Sequence, residues 1–84
     1  MLTDAQIKAW ARLTRRQRQC IDAMRAGHCT NKAIARVVGL QPNTVHEYLT
    51  SARLALGVRH RVELALIAER MHVREQLLAR GTAA

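Results

Sequence analysis

A small all-α domain is what this chain predicts, on three observations. The 84 residues include 14 Ala and 10 Leu, which favour helix, while aromatic residues make up only 2% (Trp10 and Tyr48, with no Phe). The β-branched and aromatic residues that strands prefer are correspondingly few. Apolar residues recur at three- and four-residue intervals, the period of a helix that buries one face. Start and stop residues punctuate these runs: two Thr-x-x-Gln segments, a lone proline suited to a first helical turn, and a glycine after most of the runs.

Thr3-Asp4-Ala5-Gln6 has the spacing of a capping box and opens a short helix over about 4–11. Thr14-Arg15-Arg16-Gln17 repeats that signal and opens a second helix, closed by Gly27. Leu13, the aliphatic stem of Gln17, Cys20, Ile21 and Met24 share one face of it, and Arg15, Arg18, Asp22 and Arg25 another. Thr30 caps a third helix, Asn31 to Val38, ended by Gly39. Pro42 follows at once and starts a fourth, which runs to Leu56 and ends at Gly57. Its apolar seam is Val45, Leu49, Ala52 and Leu56; the opposite side shows Asn43, His46, Glu47, Thr50 and Arg53. The last helix spans about Arg61 to Arg80 and stops at Gly81, with Thr82-Ala83-Ala84 frayed. Trp10 is expected to anchor the first helix on the last.

A 9.5 kDa chain makes one domain and has no room for a two-lobed enzyme with its own cofactor domain. Hydrophobic residues at 49% and charged residues at 24% give a globular balance. The formal charge is +8, and residues 13–60 hold most of the excess, with eight basic side chains against Asp22 and Glu47. That is the distribution of a surface that meets a polyanion. The longest apolar run, Leu64 to Ala68, is far short of the roughly 20 residues a spanning helix needs. Asp4 and Lys8 stand where a signal peptide has its apolar stretch, and two cysteines fit a reduced compartment. The expectation is a cytoplasmic, nucleoid-associated protein with no membrane partner.

Residues 31–50 read as helix, three-residue turn, helix. Ala35 is small where the second helix approaches the first, Gly39 supplies the positive φ of a sharp turn, and Ile34, Val38, Leu40, Val45 and Tyr48 fill the wedge. This is the helix-turn-helix arrangement, whose second helix enters the DNA major groove. Asn43, His46, Glu47 and Thr50 are the candidates for base edges, Glu47 as an acceptor from cytosine N4. Thr30, Asn31, Lys32, Thr44, Tyr48 and Arg53 are the candidates for phosphate oxygens, extended by Arg16 and Arg18.

Residues 13–67 resemble the LuxR/GerE-type helix-turn-helix domain. The resemblance is carried by Leu13-Thr14-Arg15-Arg16, Gly27, Thr30-Asn31-Lys32-Ala33-Ile34-Ala35, Asn43-Thr44-Val45 and the run from Leu56 to Leu64. It implies a four-helix DNA-binding domain whose third helix reads the major groove and whose last helix commonly dimerises. The family usually has Glu at Gln17, Ser at Gln41 and His60, Lys at Ala55, and Lys-Val-His where this chain has His46-Glu47-Tyr48. The fold survives these departures, but the operator sequence does not carry over.

The resulting plan is an N-terminal helical extension over 1–12, a DNA-binding domain over 13–67 and a C-terminal extension over 68–84 that dimerises. The last helix has two apolar stripes: Val62, Leu66, Val73 and Leu77, and Leu64, Ile67, Ala68, Met71 and Leu78. One closes the core and the other is left for a second copy, the pattern leaving open which is which; Leu64, Ile67, Ala68, Met71 and Leu78 are named as the dimerisation candidates, and the alternative is a monomer whose extra turns cover its own Trp10. Cys20, His28, Cys29, His46, His60 and His72 lack the paired spacings of zinc sites, and Ser51, the single serine, has no triad. No catalytic residue, metal, cofactor or small-molecule ligand is expected. The function read from the sequence is a sequence-specific regulator of transcription that binds double-stranded DNA as a homodimer, with RNA polymerase a further candidate partner. The rivals are a module like region four of a sigma factor, against which the Leu56–Leu64 run speaks, and a basic adaptor that grips an acidic protein.

Overall fold

Each of the first four helices begins where a side chain or a proline deals with the unpaired amides of the first turn. Thr3 Oγ1 accepts from the Gln6 N–H at 3.0 Å, and Gln6 Oε1 accepts from the Thr3 N–H at 3.1 Å. Thr14 and Gln17 form the same reciprocal pair at 3.1 and 2.8 Å. Thr30 Oγ1 accepts from the Ala33 N–H at 3.0 Å. Gln41 makes no side-chain cap; Pro42 in the first turn has no N–H to satisfy. The computed structural model describes residues 2–83, which form five helices: α1 (Asp4–Arg12), α2 (Arg15–Arg25), α3 (Asn31–Val38), α4 (Pro42–Leu56) and α5 (Arg61–Ala83). No strand occurs among the described residues, and the fold is all-α.

Gly39 ends α3 with φ +73° while the Leu40 N–H donates to the Ala35 carbonyl at 3.0 Å. A side chain at that φ is strained even though nothing lies within 4 Å of where its Cβ would stand. Gly81 behaves differently from expectation. It has no positive φ, and α5 runs through it to Ala83. A glycine inside a helix costs only about 1 kcal/mol relative to Ala, too little to stop a helix by itself. Ala84 lies outside the described residues.

α2 sits at the centre and packs on α3, α4 and α5. Cys20, Ile21, Ile34, Val45 and Leu64 are wholly buried there, and the α4 seam of Val45, Leu49, Ala52 and Leu56 closes the same core. α1 packs along α4, and Trp10 reaches α5 beside Ala68 and His72, as its sequence suggested. Arg18 locks it in place. Its guanidinium carbon stands 5.5 Å from the Trp10 ring centroid, and its Nη2 donates to the Trp10 carbonyl at 2.8 Å.

The two stripes of α5 sort in the opposite sense to the expected dimer seam. Leu64, Ile67, Ala68 and Met71 are buried in this chain's own core, so they are corrected from dimerisation to core residues. Leu78 continues their face but is exposed, because the body of the domain ends near Met71 and no helix covers the last turns. Val62, Leu66, Val73 and Leu77 face outward.

Burial also separates the two thiols. Cys20 is buried and its pKa is raised by loss of solvent, with the Arg16 charge opposing; Cys29 is exposed. A thiolate-directed reagent is expected to label one cysteine per native chain at neutral pH and two after unfolding. Labelling of both at equal rates in the native protein would contradict this core.

Candidate nucleic-acid interface

The interface is built on α3, the turn at residues 39–41 and α4. Ile34 and Val45 fill the crossing without solvent contact, Ala35 is buried against it, and Val38, Leu40 and Tyr48 pack around it half-buried. Because Val45, Leu49, Ala52 and Leu56 fix one side of α4 inward, the helical period turns Asn43, His46, Glu47 and Thr50 outward. The first three are exposed and Thr50 is half-buried. Leu54, 77% exposed, lies one turn beyond Thr50 on the same face. It is absent from the candidates named from the sequence; a helix-wheel count from Thr50 would have found it. Apolar contact at that point suits a thymine methyl.

The phosphate candidates divide. Lys32 is exposed in the first turn of α3, beside Thr30, whose oxygen is engaged as the cap. Thr44 and Tyr48 lie half-buried on the far flank of α4. Arg53 donates through Nη1 to the Arg59 carbonyl at 2.7 Å and thereby ties α4 to the turn before α5. Arg16 donates to the Val38 carbonyl at 2.9 Å and to Gln19 Oε1 at 3.2 Å, so it serves the C-terminal end of α3. Arg18 is corrected outright. Committed to Trp10, it occupies the crevice between α1, α2 and α5 and is not part of the α3–α4 surface.

Asn31, His46, Thr50 and Arg53 come together along one groove of about 270 Å³ beside α4. Arg59, His60 and Arg61 complete it. Those three are a site contribution that sequence reasoning missed; the signal was a basic triplet one residue beyond the glycine that ends α4. No carboxylate lines the groove. Among the described residues the ion pairs are Arg25 with Glu69 at 3.1 Å and with Asp22 at 3.6 Å, so neither engages Glu47. No group of three His, Cys, Asp or Glu among the described residues is placed to hold a metal ion, and no helix among them is long and apolar enough to cross a membrane.

Two helices joined by a three-residue turn, the second with its polar face open and basic side chains on its flank, define a helix-turn-helix protein. Residues 11–75 match the family model for bacterial regulatory proteins of the luxR family (GerE), and the chain belongs to that family. DNA binding and transcription regulation are the functions that membership supports. No curated protein matches the chain, and no solved structure does.

Proposed function

We propose that this protein is a sequence-specific regulator of transcription that binds duplex DNA as a homodimer in the cytoplasm, on the nucleoid, with α4 in the major groove. The observation that carries the reading is the outward face of α4: Asn43, His46, Glu47 and Thr50 opposite a fully apolar seam. In this reading Asn43, His46, Glu47 and Thr50 meet base edges. Lys32, Thr30, Asn31, Thr44, Tyr48 and Arg53 meet phosphate. Residues 1–12 and 68–84 extend the DNA-binding unit of 13–67, the first by bracing α4 from behind.

Glu47 is the sharpest test, because a carboxylate on a basic surface repels phosphate and is favourable only where it accepts from a base. Selection of duplexes from random sequence should return a defined site. Glu47→Ala should then relax preference at one position per half-site by about 1–3 kcal/mol, with its thermal midpoint unchanged. Equal affinity for all duplexes overturns the regulatory reading; an unchanged preference in Glu47→Ala overturns this docking of α4.

The dimer in this proposal uses the outward stripe. α5 has 23 residues, about 35 Å, and beyond His72 every residue through Gly81 is exposed. Val62, Leu66, Val73 and Leu77 lie within one narrow arc of it, an apolar seam suited to the same helix of a second copy. Leu66→Asp with Leu77→Asp should halve the mass found by sedimentation at tens of micromolar and leave the helical signal intact. A single-chain mass for the parent protein overturns the dimer.

A further inference from the structure

We infer that the groove between the start of α3 and the α4–α5 turn seats one backbone phosphate of the bound duplex, with Arg59 and Arg61 as its principal donors. The inference rests on the DNA-binding reading and adds to it two donors that lie outside both helices of the helix-turn-helix pair.

Position comes first. His46, Thr50 and Arg53 stand at i, i+4 and i+7, down the flank of α4 that borders the groove. A strand of DNA backbone running beside α4 in the major groove therefore passes over it. The first turn of α3 forms the opposite wall through Asn31, adding backbone amides and the positive end of an eight-residue helix.

Chemistry comes second. Arg61 Nη2 is shielded from solvent and has no hydrogen-bond partner. A guanidinium N–H in that state costs free energy that an arriving phosphate oxygen recovers. The Asn31 amide oxygen is in the same condition on the facing wall, and a half-turn of that amide presents its N–H groups instead. Arg59 is exposed at the rim, and its backbone is held because its carbonyl accepts from Arg53 at 2.7 Å. Glu63, the acid of the first α5 turn, is occupied by the His60 N–H at 3.3 Å and does not line the groove. The seat is thus cationic, lined by no carboxylate, and carries arginine donors of the kind that pair with phosphate oxygens.

The test measures binding of the selected duplex by fluorescence anisotropy across a salt series for the parent, Arg59→Ala, Arg61→Gln and Arg61→Lys. Arg61→Gln should lose about tenfold in affinity per half-site, the usual consequence of one lost charged hydrogen bond. Its slope of log affinity against log salt should flatten by about 1.8, one phosphate's share at each of the two half-sites. Arg61→Lys should restore the slope. Arg59→Ala, an exposed change that leaves folding alone, should flatten it in the same way. Replacing single phosphates of the duplex by neutral methylphosphonate should reveal one position per half-site that weakens the parent but not Arg61→Gln. Sequence-specific binding by the parent with unchanged slopes in both Arg59→Ala and Arg61→Gln overturns this inference and leaves the DNA reading standing. A parent that binds every duplex equally, or none, overturns that reading itself. Saturable binding of inorganic phosphate in the millimolar range, lost in Arg61→Gln, would reassign the groove to a free anion and overturn the backbone contact.

Discussion

Met71→Asp is expected to unfold this domain. Met71 is 4% exposed and forms the last buried position of α5, in the same cluster as Trp10 and Ala68. A carboxylate placed there loses its water without gaining a partner, and the methionine's own packing is lost as well. Together these exceed about 3–5 kcal/mol. A chain of this length has roughly 4–12 kcal/mol in all, so the variant sits at or beyond the edge of stability. Leu64→Ala, at a wholly buried position, should cost about 2–5 kcal/mol by the cavity it leaves. Leu66→Asp, on the outward stripe at 53% exposure, should change the stability of a single chain by no more than about 0.5 kcal/mol. Urea unfolding followed by helical circular dichroism separates the three. A lower midpoint for Leu66→Asp than for Met71→Asp would mean that the two stripes of α5 are oriented the other way round.

That contrast marks where sequence reasoning reached its limit. Helix starts were legible because a capping box is local chemistry: Thr3 with Gln6 and Thr14 with Gln17 need only each other. The α4 seam was legible because four apolar residues face a continuous polar side, and only one way of burying that helix makes sense. α5 offers two stripes of similar apolarity. The choice between them is made by the cluster they meet, with Ile21 and Cys20 of α2 and Leu56 of α4, and such partners are distant in the chain. Arg18 was misread for the same reason. A basic residue on a polar face looks like a phosphate contact until the fold brings Trp10 beneath it. Arg59, His60 and Arg61 were passed over because their value comes from a turn that places them next to Asn31, some thirty residues earlier. The elements of the site were therefore readable one helix at a time, and the residues shared between helices were not.

Affinity for the selected duplex is expected to fall by about two to four powers of ten as salt is raised from roughly 50 to 200 mM, taking about 4–8 phosphates per dimer and a slope near −0.9 for each. The charge behind this lies in the α2–α4 segment and the turn that follows, since residues 61–84 are nearly balanced. The structure makes the arginines and lysines of that segment unequal. Lys32 is exposed in the first turn of α3, so Lys32→Ala, present in both copies, should flatten the slope by about 1.8 and weaken all sequences alike. Arg53→Ala should do the same and also loosen the turn at Arg59, whose carbonyl it holds, so its loss of affinity should exceed that of Lys32→Ala. Arg18→Ala should leave the slope where it was and lower the thermal midpoint instead, because its charge is spent on the Trp10 ring and carbonyl. Salt series on the three variants, read beside their melting curves, place each residue on one side of that division. A flattened slope with an unchanged midpoint in Arg18→Ala would return that residue to the DNA-binding surface and detach α1 from the position it holds behind α4.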